Sequence, residues 1–210
     1  LLSEEMRFAA MRKNKPYPLY DLPQIHDLKE MVAMKADNTP DAIAFRYMDA
    51  QHRESIKEVT YKSFAEQAES LETWLYHQGY HEEHIAIIGE NSYEWLLAFI
   101  AVINSGNVAV AIDRDLPSEE VADLLAMTDT EIAFCSGICC KKLKPAGMED
   151  VLSGTGEVLS GGSGQAPDAM TLYSFEEMDR YLKIGSEKRN SGDKSFQNYV
   201  INPQKMVCIF

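Results

Sequence analysis

Residues Ile85–Cys135 read IAIIGENSYEWLLAFIAVINSGNVAVAIDRDLPSEEVADLLAMTDTEIAFC, and the rhythm of this stretch decides the fold. Ile85-Ala86-Ile87-Ile88-Gly89, Val108–Ile112 and Glu131–Cys135 are short, continuous apolar runs. Such runs suit strands that are covered on both faces, as in a parallel sheet, because a half-exposed strand would alternate apolar with polar residues. Between them lie segments of helical length. Ser92 to Asn104 is the first, with Asn91 and Ser92 placed to cap it at the strand–helix turn. Gly106 then lets the chain turn tightly into the next strand. Leu116-Pro117-Ser118-Glu119-Glu120 opens the second, with Ser118 as the expected N-cap and an acidic pair that suits the positive end of a helix. Strand and helix alternating as β-α-β-α-β predict an α/β fold, a mostly parallel sheet with right-handed crossovers and helices on its faces.

Upstream, His26–Asp37 carries Leu28, Met31, Val32 and Lys35 at helical spacing, and Asn38-Thr39-Pro40-Asp41 ends that pattern. Ala42–Met48 and Ser55–Tyr61 read as an N-terminal β-hairpin joined by the polar segment 49–54. A helix follows from Lys62 to Gln78. Phe64, Ala68, Leu71 and Leu75 form its apolar stripe and Trp74 widens it. Ser63 with Glu66 has capping-box spacing, Thr60 is a competing cap, and Gly79 closes the helix. In the helix that starts at Ser92, Trp95, Phe99 and Val102 are expected to face the sheet.

Downstream the pattern weakens. The stretch 141–170 carries Gly147, Gly154, Gly156, Gly161, Gly162 and Gly164 among small polar residues and reads as a flexible excursion. Leu172–Lys183 reads as a strand leading into a helix, Ile184–Gln197 as a loop, and Lys205–Phe210 as a strand. The expected organisation is therefore an N-terminal arm over 1–24, an α/β core over 25–140, the glycine-rich excursion over 141–170, and a strand–helix–strand return over 171–210.

Bulk properties exclude several classes. With 45% hydrophobic residues the chain can bury a core, so it is not a disordered tail. A formal net charge of −13 argues against binding nucleic acid or anionic lipid through a basic surface. Lys141-Lys142-Leu143-Lys144 is the only compact basic cluster and reads as a solvated loop. The longest apolar run, Trp95–Ile103, is half of the roughly 18 residues that a membrane span needs, so no integral membrane segment is expected. The opening Leu1-Leu2-Ser3-Glu4-Glu5 has no basic or apolar signal region and no initiator Met, as in a cytoplasmic chain met as a fragment. Cys135, Cys139, Cys140 and Cys208 lack paired C-x2-C spacing, vicinal Cys139 and Cys140 cannot easily pair with each other, and reduced thiols are the expected state.

The residues themselves spell out no active site. No Walker or dinucleotide loop occurs, and Gly154-Thr155-Gly156 and Gly161-Gly162-Ser163-Gly164 fall in the least patterned stretch. His77, His81 and His84 sit around a turn with no third ligand evident. Asp113, at the C-terminal end of its strand, is the one candidate for lining a substrate pocket, because ligands gather at that edge of open α/β sheets.

Four segments, in order, carry a resemblance. Val59-Thr60-Tyr61-Lys62-Ser63-Phe64 is similar to (I/V)-T-Y-x-E-L, and Gly89-Glu90-Asn91-Ser92-Tyr93-Glu94-Trp95 to x-x-N-S-x-E-W. Ala101–Asp113 is similar to A-x-x-x-x-G-x-x-x-V-P-x-D, and Leu116-Pro117-Ser118-Glu119-Glu120 to L-P-x-E-E. Together they make Ile25–Gly137 resemble the opening of the adenylate-forming ligases: acyl-CoA synthetases, luciferases and peptide-synthetase adenylation domains. The Gly-Glu-Asn-x-x-Glu-Trp form is most like bacterial long-chain fatty acid–CoA ligases. Two positions depart from the family pattern. His81-Glu82-Glu83-His84 stands where Gly-Asp is usual, and Ala111 where Pro is usual.

The resemblance implies a full-length enzyme that joins a carboxylic or fatty acid to ATP, giving an acyl-adenylate, and then passes the acyl group to coenzyme A. It implies ATP, Mg2+ and coenzyme A for that enzyme, and the remaining ligase domains of the same chain as partners. In such ligases the strand that resembles Met206–Phe210 leads into a phosphate loop, so the catalytic, nucleotide and metal residues would lie beyond this chain. The fragment would be inactive alone, with no catalytic, cofactor or metal residue of its own. Two alternatives stand beside this reading: a self-contained, non-enzymatic α/β binding or interaction module, and an amino-acid or aryl-acid adenylating ligase.

Overall fold

Capping side chains set the helix starts. Asp27 Oδ1 accepts the Glu30 N–H at 2.7 Å and begins α1 (Leu28–Asn38). The hairpin follows as β1 (Ile43–Met48) and β2 (Ile56–Thr60), antiparallel, with Arg46 Nε donating to Glu58 Oε1 at 2.6 Å across it. Thr60, not Ser63, caps α2 (Tyr61–His77): its Oγ1 accepts the Ser63 N–H at 3.2 Å, while the Ser63 hydroxyl is taken by Gln67. Helix α2 lies one residue ahead of the expected register, so Ser63 already stands inside it.

The next units follow their expected bounds closely. They are β3 (His84–Ile88), α3 (Tyr93–Asn104), β4 (Val108–Ile112), α4 (Ser118–Met127) and β5 (Ile132–Cys135). Ser92 Oγ caps α3 through the Trp95 N–H at 3.1 Å, and Gly106 takes φ +83°, the left-handed turn expected of it. Ser118 is the first residue of α4 rather than its cap, and no side chain caps that helix.

The computed structural model describes residues 23–48, 55–143, 157–160, 169–192, 195, 196, 199, 202, 205 and 207–209. The arm up to 22, the hairpin connection 49–54, Lys144 and most of the glycine-rich stretch lie outside the described residues. Within the stretch read as an excursion, Lys141–Leu143 close α5 (Gly137–Leu143) and Glu157–Ser160 form β6. Strand β6 pairs antiparallel with β7 (Ala169–Ser174). A short 3-10 turn, Phe175–Glu177, leads into α6 (Met178–Asn190), which carries the helix well into residues read as a loop. Strand β8 is Cys208–Ile209.

The main sheet has the order β6-β7-β5-β3-β4-β8, parallel except for β6. This is the expected α/β architecture, with helices on both faces. Alternate strand residues divide between the two layers, as the period of two in a strand requires. Ile85, Ile87, Ala109, Ile132, Phe134 and Tyr173 join the layer under α2, α3 and α6. Ala86, Ile88, Val110, Ile112, Ala133, Cys135 and Leu172 join the layer under α4 and α5.

Helix α6 is drawn in by contacts made far from it in sequence. Tyr181 stacks on Trp74 with ring centroids 4.6 Å apart, and Arg189 pairs with Glu69 at 2.8 Å. A Cβ at Gly185 would stand 1.8 Å from the Ser70 carbonyl oxygen, so only glycine admits this approach of α6 to α2. Burial in this aromatic layer raises the Tyr173 and Tyr181 hydroxyls well above the ordinary tyrosine value.

Candidate functional site at the C-terminal ends of strands β3 and β4

Strand β3 lies between β4 and β5, and the helices that follow β3 and β4 pack on opposite faces of the sheet. The strand order reverses between β3 and β5. The C-terminal edge of the strands is where open α/β sheets bind ligands. A cleft of about 560 Å³ lies beside the reversal, at the C-terminal ends of β3 and β4. One wall is the β3–α3 turn, Gly89, Glu90 and Asn91; the other is the end of β4, Ala111 and Ile112, with the turn that follows it, Asp113 to Asp115; Trp95 closes the end.

Asp113 stands in this cleft, exposed, with Oδ1 accepting the Asp115 N–H at 2.9 Å. The two walls are tied by charge. Arg114 Nη1 lies 2.8 Å from Glu90 Oε1, and Arg114 Nε lies 3.4 Å from Asp115 Oδ1. Partial burial alone would raise the Glu90 carboxyl. Its own backbone N–H, the adjoining Ser136 hydroxyl and the Arg114 guanidinium outweigh that effect and hold it below the ordinary value. Lys142 Nζ donates to the Arg114 carbonyl at 2.9 Å, so this member of the basic cluster read as a solvated loop lies in α5 and braces the cleft wall.

Trp95 does not face the sheet as its spacing suggests. It is half-buried, stacked on Phe99 with centroids 5.3 Å apart, and forms part of the cleft. Val102 is fully buried as expected, beside Leu97, Ala98 and Ala101, whereas Trp95 and Phe99 lie only partly buried at the edge of that core. Asn91 and Trp95 also border a second depression of about 330 Å³, lined with Phe45, Tyr47, Tyr93 and Leu96. Tyr47 stacks on Tyr93 at 4.9 Å, and Tyr93 Oη donates to Gln67 Oε1 at 3.0 Å. The hairpin and the β3–α3 turn thus make one aromatic ledge beside a charged cleft. The family-like motifs contain Glu90, Asn91, Trp95 and Asp113, whereas Arg114 and the hairpin aromatics carry no sequence signal of a shared site.

The histidines do not converge. The His84 ring bonds the Thr128 carbonyl, while His81 packs against Tyr76 and Tyr199. Among the described residues no three His, Cys, Asp or Glu side chains gather as a metal requires. In the cleft, Glu90 and Asp115 are paired with Arg114, and Asp113 accepts a backbone N–H. Among the described residues no helix is long and apolar enough to cross a membrane.

The family model described as AMP-binding enzyme matches residues 32–209. The chain belongs to the AMP-binding enzyme family. Its relatives span two kinds of ligase. It is 32% identical over 104 residues to phosphinothricin tripeptide synthetase PhsB of Streptomyces viridochromogenes, a match covering 49% of this chain and 8% of that protein. It is 25% identical over 135 residues to long-chain-fatty-acid–CoA ligase 5 of Rattus norvegicus, covering 61% of this chain and 19% of that protein. The chain thus spans only a small part of the curated relatives it matches. Among solved structures, VinN in complex with L-aspartate superposes with a TM-score of 0.62 at 15% identity, over 86% of this chain and 42% of that one. At that identity the likeness shows the fold.

Proposed function

We propose that this AMP-binding chain supplies one wall of an ATP-dependent acid–thiol ligase. A carboxylate oxygen attacks the α-phosphorus of ATP, the bond to pyrophosphate breaks, and an acyl-adenylate forms. A thiolate then attacks the acyl carbon and AMP leaves. The observation that carries the reading is the cleft at the C-terminal ends of β3 and β4 in a chain that matches this family over residues 32–209. Asp113, Arg114 and Trp95 would shape the edge of the reaction chamber, and the remaining ligase domains would complete it. Phosphate and Mg2+ would be held by groups other than the cleft carboxylates, which are already engaged by Arg114 or a backbone N–H. The chain alone would be inactive, and the enzyme cytoplasmic.

For the acid, the Glu90-Asn91-Ser92-Tyr93-Glu94-Trp95 segment favours a long-chain fatty acid with coenzyme A as acceptor. The second reading, an amino acid or aryl acid passed to another thiol, is favoured by the higher identity to the tripeptide synthetase than to the rat ligase. ATP–pyrophosphate exchange with the product of the complete coding sequence, run over a panel of fatty, amino and aryl acids, tests both. Exchange stimulated by long-chain fatty acids is expected, with none from the 210-residue chain alone. Stimulation by amino or aryl acids selects the second reading, and no stimulation by any acid leaves a binding module.

A further inference from the structure

The cysteines depart from the reduced state that their spacing suggests. Cys135 and Cys140 are joined as a disulfide with Cα atoms 5.5 Å apart, and Cys139 and Cys208 are free. Helix α5 makes the pairing possible by turning Cys140 back over the end of β5. Both bonded cysteines are buried. The bond encloses Ser136, Gly137, Ile138 and Cys139, the whole β5–α5 turn.

This turn touches both walls of the cleft. At its start, the Ser136 N–H donates to the Ile88 carbonyl at 3.1 Å, and the Ser136 Cβ packs against Gly89, 3.4 Å from where a Cβ there would stand. At its end, Lys142 braces the Arg114 carbonyl. Helix α5 has only seven residues, too few to persist without tertiary ties. Besides the disulfide, its first turn is fastened by Glu176 Oε1, which accepts the Gly137 N–H at 2.9 Å.

We propose that Cys135 and Cys140 form a reversible thiol–disulfide switch: closed, it fixes α5 and, through Ser136 and Lys142, both cleft walls; open, it loosens them. In closing, one cysteine thiolate attacks a low-molecular-weight disulfide of the glutathione class and expels one thiolate. The second cysteine then displaces the other. Two protein S–H groups are lost and two small thiols are formed, and opening is the reverse. Both sulfurs are buried, so exchange proceeds through fraying of α5. In a reducing compartment a disulfide is transient and regulatory, which suits a switch rather than a permanent staple.

The experiment is a titration of the 210-residue chain through a series of reduced and oxidised glutathione ratios, with acid quenching, alkylation under denaturing conditions and mass analysis. The expected result is two alkylated cysteines, Cys139 and Cys208, at the oxidising end and four at the reducing end, with the same midpoint from either direction. Amide exchange over residues 137–143 should be about tenfold faster in the reduced form, and Cys140→Ser should match the reduced form at every ratio. Four alkylated cysteines throughout, a bond that stays closed throughout, or exchange unaltered by reduction would each overturn the switch. None of these measurements involves ATP or an acid, so their failure is separate from failure of the ligase reading.

Discussion

The two faces of the sheet are built from different materials. Under α2, α3 and α6 the described core sets aromatic rings among its aliphatic residues: Phe64, Trp74, Tyr93, Phe134, Tyr173, Phe175 and Tyr181 are buried there, with Trp74 touching three other rings. Under α4 and α5 it is made of Ala, Val, Ile, Leu, Met and Cys, without an aromatic ring among the buried described residues. Aromatic side chains bury more area and fix their neighbours' geometry, so the first face is a rigid slab. The second is thinner, and its end nearest the cleft is held by a disulfide and a short helix. The cleft lies at the strand ends between α3, packed on the first face, and α4, packed on the second.

Truncation should separate the two faces most widely. Trp74→Ala, in the aromatic layer, is expected to cost about 3–5 kcal/mol in a denaturant melt. Leu125→Ala, the corresponding truncation under α4, should cost about 2–3 kcal/mol. Equal losses would mean that the two layers carry equal weight and that the aromatic face is no more rigid than the other.

A subtler probe is Glu72, whose carboxylate is buried in the aromatic face. Lys29 Nζ lies 3.0 Å from one oxygen, and Asn104 Nδ2 donates to the other at 3.1 Å. Burial raises its pKa above the ordinary 4.5, and Lys29 only partly offsets this. The folded state therefore holds a proton that the unfolded chain has released. Stability falls as pH rises from about 4.5 through the raised folded value, with a slope of at most about 1.4 kcal/mol per pH unit. Glu72→Gln should abolish that slope, leaving curves that diverge only above pH 4.5. Parallel melting curves across the range would contradict it.

What is legible in the sequence follows the same division. Strands β3, β4 and β5 are covered on both faces, so continuous apolar runs mark them almost to the residue. Helix α2 has one buried stripe, and its period is plain. Helix α3 is apolar nearly all round, from Trp95 to Ile103, so periodicity cannot say which side faces the sheet, and the expectation for Trp95 points the wrong way. Helix α5, strand β6 and the second half of α6 are hidden for another reason. Each is set by a partner distant in sequence: Glu176 for Gly137, β7 for β6, and Ser70 with Glu69 for Gly185 and Arg189. Asp113 can be marked as a strand-end residue, but the cleft also needs the side chains of the β3–α3 turn and Trp95 set opposite it across the β3–β4 pair. No local pattern encodes that placement.

Whether the β3–β4 edge works in the enzyme is decided by two variants, Asp113→Asn and Trp95→Phe, made singly in the product of the complete coding sequence. Both should melt within about 1 kcal/mol of the parent, since the side chains are exposed or half-exposed. In ATP–pyrophosphate exchange each should change kcat/KM for the acid or for ATP by about tenfold, a difference of about 1.4 kcal/mol. Exchange kinetics identical to the parent in both variants would mean that the cleft is only a surface feature and that the working edge lies elsewhere.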